Sequence, residues 1–178
     1  AGHARAADEA VKAWELASEE GSSPYLARKA VQPHGVRFTP DGWLLVPLRD
    51  GAGKLWNLQR IAPQRPADGA TDKLFLKDGR KSGLWHMVGT VASDPAPPVV
   101  VLASEGYATG ASLHEATGHA VAVGFDSGNL AHVARELRKL HPAALLVMCG
   151  DDDVQTAART GKNPGRDKAT SAARSVLG

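Results

Sequence analysis

The chain has 178 residues, 43% of them hydrophobic and 22% charged, with a formal net charge of +2; this is ordinary globular composition, long enough for one sizeable core or two small lobes. No apolar run approaches the ~20 residues needed to cross a bilayer, and the N-terminal stretch AGHARAADEAVKAWELASEE lacks a signal-peptide core, so a cytoplasmic protein with no membrane partner is expected. Cys149 is the only cysteine, which excludes disulfides and thiolate-rich zinc sites within the chain.

Residues 5–20 carry alanines together with Val11, Trp14 and Leu16 at helical spacing before Gly21. The spacing predicts one amphipathic helix, and residues 1–21 read as a helix or linker joined to something upstream in a longer protein. From Tyr25 to Val88 the pattern changes to short strands. WLLVPL (43–48), the turn RDGAG and KLWNLQRI (54–61) form a predicted hairpin. The loop APQRPADGATD (62–72) leads to KLFL (73–76), the basic turn KDGRKSG (77–83) and LWHMVG (84–89). Residues 22–92 are therefore expected to make a small β-rich α+β lobe. Between Ser22 and Thr90 lie eleven Lys and Arg against five Asp and Glu, a surplus that suits a polyanion.

SDPAPP (93–98) reads as an interdomain boundary. Beyond it, VVVLA (99–103), AVAVGF (120–125) and AALLVMCG (143–150) are apolar strands. They alternate with helices at 105–118, 130–140 and 166–177, a regular α/β pattern that argues for a parallel sheet covered on both faces over residues 93–178. In such sheets ligands sit beyond the carboxyl ends of the strands, where strand order reverses. Glu105 lies just past the first of these strands, and Asp151, Asp152 and Asp153 just past the third. With strand order 2-1-3 all four carboxylates converge on one rim. Carboxylates gathered without Cys or His suit a hard cation, Mg²⁺ or Mn²⁺. Strand alternation would aim Asp151 and Asp153 the same way and Asp152 the other.

EG at 105–106 after an apolar strand, DDD after a later one, and NPG-x-x-KA at 163–169 together resemble the TOPRIM domain of topoisomerases and primases. The fuller set SEGYATGASLHEATG, VAVGFDSGNL, CGDDD and NPGRDKA looks like the primases of plasmids, phages and integrative elements. LLVPLRDGAGKLWNLQRI with DKLFLKDGRKSGLW is similar to the small N-terminal lobe of the bacterial primase catalytic core. The resemblance implies an α/β TOPRIM fold preceded by a basic lobe. It also implies an enzyme that makes RNA primers from NTPs on single-stranded DNA with Mg²⁺ or Mn²⁺, in company with a replicative helicase or a fused helicase domain. By that match Glu105 serves as metal ligand or general base, and Asp151 and Asp153 as metal ligands with Asp152 beside them. Arg49, Arg60, Lys73, Lys77, Arg80 and Lys81 would face template or triphosphate. The sequence departs from the family pattern after EG, where Ala108 and Thr109 stand in place of an acid. It departs again in the nine residues VQTAARTGK (154–162) inserted before NPG.

Lys168, one turn into the last helix, is placed to favour an anion; Asp126 and Asn129 follow the second strand and border the same rim, Asn129 as either a helix cap or a ligand contact. HEATGH (114–119) spaces its histidines five apart, not the four of a zinc helix. Trp43, Trp56 and Trp85 either stack bases or pack the core. The same acids would serve a TOPRIM nuclease, and a chain without a working acid site would be a single-strand binding module.

Overall fold

A computed structural model describes residues 2–92 and 98–176; the boundary expected at 93–98 thus lies almost wholly outside the described residues. The chain divides into two compact units, 1–86 and 87–178.

The first unit is built on an antiparallel sheet of four strands in the order β1-β2-β3-β4 (Arg37–Phe38, Leu44–Arg49, Leu55–Ile61 and Lys73–Phe75). The β2–β3 hairpin closes on Asp50, whose carboxylate accepts from the amides of Ala52 and Lys54 (both 3.0 Å) and from Trp56 Nε1 (2.7 Å). Helix α1 (Gly2–Leu16) packs against β3 rather than standing off as a linker. Its buried stripe is Ala6, Ala7 and Ala10, with Trp14 partly buried against the core beside it, while Val11 and Leu16 of the expected face are exposed, Leu16 85% so. Alanines allow the helix to approach the sheet closely, and Ala10 and Ala17 join Leu45, Leu55 and Leu58 in one core cluster. A short helix α2 (Pro24–Lys29) was not legible in the sequence pattern. Ser23 caps it and Pro24 opens it, a favourable pairing at a helix start.

The second unit holds a sheet in the order β5-β7-β6-β8 (His86–Val88, Ala120–Val123, Val100–Ser104 and Leu145–Cys149). Of LWHMVG, expected in the first lobe, Leu84 and Trp85 stay there, Trp85 bridging Arg49, while His86–Val88 supplies edge strand β5 of this second sheet. Strands β7 and β8 each run parallel to the central β6, which is the second-first-third order. Helix α3 (Tyr107–Thr117) packs on β6 and β7. Helices α4 (Leu130–Leu140) and α6 (Pro164–Arg174) pack on each other and against β8. The close approach of α3 depends on Gly110, where a Cβ would stand 2.6 Å from Val123 Cγ2.

The sheet is not covered throughout. Leu145 and Val147, two apart on edge strand β8 and so on one face, are 57% and 37% exposed, because no described element lies over that side. The insert at 154–162 is mostly a helix, α5 (Val154–Thr160), ended by a left-handed Gly161.

Candidate active site and basic surface

The register of the parallel strands places the acids. Ser104 on β6 pairs with Val123 on β7 and Cys149 on β8, so the chain leaves all three strands at the same edge. Glu105 follows at once, Asp126 three residues after β7, and Asp151 two residues after β8. Burial holds the Glu105 carboxyl above its ordinary pKa, and the neighbouring Asp151, Asp153 and Asp126 push it further the same way. Its Oε1 is buried and has no hydrogen-bond partner. An unpartnered carboxylate oxygen facing three more carboxylates is the environment a dication relieves. The donor set, all oxygen, fits Mg²⁺ or Mn²⁺. Among the described residues no three of these side chains are close enough as they stand to enclose an ion.

Strand alternation does not orient the triplet, since β8 ends at Cys149 and residues 151–153 are irregular. The NPG turn orients it. Asn163 is buried, and its Nδ2 donates to Asp152 Oδ1 (2.6 Å) while its Oδ1 accepts from the amides of Asp153 and Arg166 (both 3.2 Å). Gly165 N donates to Asp153 Oδ2 (2.9 Å), which sets that carboxylate at the start of α6, where the helix dipole favours it. A Cβ on Gly165 would lie 2.2 Å from the Asp151 carbonyl oxygen, and one on Gly150 would lie 2.6 Å from Ala169 Cβ. The aspartate loop and the first turn of α6 are therefore in direct backbone contact. Asp151 and Asp152 are exposed, and Asp153 is half-buried.

Asn163 and Gly165 contact the aspartates but carry no assigned role in the sequence reading, whereas Asp126 lies beside Glu105 at the rim where the sequence put it. NPG was visible as a motif; that its amide and its missing side chain serve the aspartates needed coordinates. Asn129, expected as a possible ligand contact, lies inside the rim instead. It is 3% exposed, and its Nδ2 donates to Gly124 O (2.9 Å) while its amide is capped by Asp126 Oδ1 (2.9 Å). Lys168 is exposed on α6.

In the first unit the expected basic residues are mostly stacked on aromatic rings. The Arg60 guanidinium sits 4.7 Å from the Trp43 ring centre, Lys73 Nζ 5.6 Å from Tyr25 and Lys81 Nζ 5.2 Å from Phe75. Trp56 lies between Lys54 (4.1 Å) and Arg80 (5.2 Å). Arg49 is half-buried. It stacks on Trp14 at 5.6 Å and donates to Gly53 O (2.9 Å), and burial, then Arg37, hold its pKa below the usual guanidinium value. Lys77 is exposed. Lys77, Arg80 and Lys81 thus share one turn after β4, Arg60 and Lys73 lie on adjacent strands, and Arg49 is held against α1. Trp85 is core.

A parallel sheet of 2-1-3 order with acids at its carboxyl edge, preceded in the chain by a basic β-rich unit, is the arrangement of a TOPRIM fold. Solved structures agree on the fold. One described as the DnaG catalytic core has a TM-score of 0.58 at 15% identity, matching 94% of this chain and 65% of that one. Another, described as the DnaG primase catalytic domain bound to ssDNA, has a TM-score of 0.62 at 15% identity, matching 99% of this chain and 67% of that one. In sequence the chain is a relative of DNA primase TraC. It is 44% identical over 158 residues to one Escherichia coli protein of that name and 41% identical over 166 residues to a second. The matches take in 88% and 92% of this chain but only 14% and 11% of those longer proteins. No protein-family model matches the chain. Among the described residues no helix is long and apolar enough to cross a membrane.

Proposed function

We propose that this chain is the catalytic core of a DNA primase, which joins NTPs into an RNA primer on single-stranded DNA. The observation that carries the reading is the half-buried Glu105, whose Oε1 is buried and without a hydrogen-bond partner, close to Asp151, Asp153 and Asp126 at the carboxyl edge of the sheet. Glu105, Asp151 and Asp153 would hold Mg²⁺ or Mn²⁺, with Asp126 and Asp152 beside them. Bound there, the metal neutralises phosphate charge and lowers the pKa of an attacking hydroxyl. The chain's own part is positioning: Asn163 and Gly165 fix the aspartates, and Asn129 with Asp126 fixes the turn beside Glu105. No protein nucleophile is required, because a substrate hydroxyl attacks the α-phosphate and pyrophosphate leaves. Lys77, Arg80 and Lys81 supply a polyanion surface for the template strand, and exposed Lys168 supplies a further cation. Within a longer protein a replicative helicase, separate or fused, is the fitting partner, since it exposes the single strand.

Metal binding is the first test. Calorimetry or paramagnetic relaxation should detect Mn²⁺ on the wild type, and Glu105→Gln, Asp151→Asn and Asp153→Asn should each weaken it by about tenfold or more, the equivalent of ~1.4 kcal/mol. The amide variants keep the shape and one acceptor oxygen, so a folding defect is not expected to imitate the loss. Absence of Mn²⁺ binding by the wild type, even with NTP and single-stranded DNA present, would remove the catalytic reading and leave a strand-binding module. With metal bound, growth of an NTP-dependent product separates primase from nuclease.

A further inference from the structure

We propose that Asn57 is a positioning residue for nucleic-acid binding: from inside β3 its side-chain amide sets the shape of the basic turn Lys77–Lys81 and so presents Arg80 and Lys81 together. The inference rests on the reading of that turn as a polyanion surface.

Asn57 is fully buried. Its Oδ1 accepts from the amides of Leu58 (2.8 Å) and Leu76 (3.1 Å), and its Nδ2 donates to Arg80 O (3.0 Å). One amide therefore grips the turn at both ends, just before Lys77 and at Arg80. The turn lies directly on it, since a Cβ on Gly79 would stand 2.3 Å from Asn57 Nδ2. A left-handed Asp78 (φ 59°) makes the bend, and α1 holds it from outside through His3 Nδ1, which donates to Asp78 O (2.8 Å), and the Arg5–Asp78 pair at 3.4 Å.

Two cations emerge from this frame. Arg80 reaches Trp56, which Asp50 fixes by its indole N–H, and Lys81 reaches Phe75. A buried amide in a strand is costly unless its donors and acceptors are used. Here they are used on the turn that carries the cations, where a leucine would fill the same space and leave the turn unheld.

The test is a cycle of variants in the full chain, read by anisotropy with a labelled single-stranded 20-mer: wild type, Asn57→Ala, Arg80→Ala/Lys81→Ala, and all three substitutions together. Removing the two cations should weaken binding about tenfold and flatten the slope of log affinity against log salt by roughly 1.4, two phosphate contacts' worth. Asn57→Ala should weaken it about threefold or more with a shallower salt slope, and should add nothing once Arg80 and Lys81 are gone. Gly79→Ala, which disturbs the same contact from the turn side without altering the strand, should behave likewise, and Mn²⁺ binding should not change in any of them. Wild-type affinity in both Asn57→Ala and Gly79→Ala, or an equal loss with and without Arg80 and Lys81, would overturn the assignment to positioning. Full affinity in Arg80→Ala/Lys81→Ala would instead overturn the polyanion reading of the turn on which it rests.

Discussion

His86 opens β5 with its ring buried, its Nε2 donating to His34 O at 2.7 Å. Burial, opposed by that hydrogen bond and assisted by Arg49 and His34, lowers its pKa to about 4. The folded chain therefore leaves His86 neutral where the unfolded chain, with an imidazole near 6.5, takes up a proton. The unfolded state binds more protons between those values, so His86 contributes stability in full above about pH 6.5 and loses it as pH falls toward 4. The expected loss is at most about 1.4 kcal/mol per pH unit. Urea midpoints across pH 7 to 4.5 should show a shallower slope for His86→Gln than for the wild type, and parallel slopes would exclude His86 as the source. At this scale the sequence was informative about which residues carry charge and much less so about what holds them. Glu105 and the three aspartates stand out because ionised side chains at strand ends have few structural uses. Asn57 and Asn163 do not, because an asparagine inside an apolar pattern looks the same whether its amide faces solvent or clamps a turn.

The aspartate loop and α6 meet through glycine. With 2.2 Å between a would-be Cβ of Gly165 and the Asp151 carbonyl, Gly165→Ala must displace either the helix start or the loop. The expected cost is about 1–3 kcal/mol, the range for overpacking a tight contact, seen as a lower melting temperature. Mn²⁺ affinity should fall as well, although no carboxylate has been changed. Elements with a strong period were legible: α4 falls on the expected residues 130–140, and the three apolar parallel strands fall within two or three residues of expectation. Those set by contacts elsewhere in the chain were not. The assignment of β5 to the second sheet depends on pairing with β7, a partner more than thirty residues away in sequence. The buried face of α1 is set by how near a helix of alanines can come to β3, so Val11 and Leu16 are turned outward and only Trp14 of its larger side chains packs on the core. The insert before NPG lacks an apolar stripe, and none of the residues of its helix α5 is buried.

Across the whole molecule the charge is divided: Lys and Arg outnumber Asp and Glu by six between residues 22 and 90, and the acids lead by one from 91 to 178. Two kinds of binding should therefore answer to salt differently. With three phosphate contacts from Lys77, Arg80 and Lys81, raising monovalent salt from about 50 to 200 mM should weaken single-stranded DNA binding roughly twentyfold. Mn²⁺ on short-range carboxylate ligation should weaken far less, and titrations of both ligands in one salt series would check this. Equal sensitivity would mean that the strand is held mainly by something other than these cations. The backbone contact between Gly165 and Asp151 gives the acid rim one more property. Because the aspartate loop lies directly on the first turn of α6, an ion held by the aspartates as proposed would be released more readily whenever that helix start frays. The lifetime of such a charged centre would then answer to the breathing of a helix that contributes no carboxylate to it.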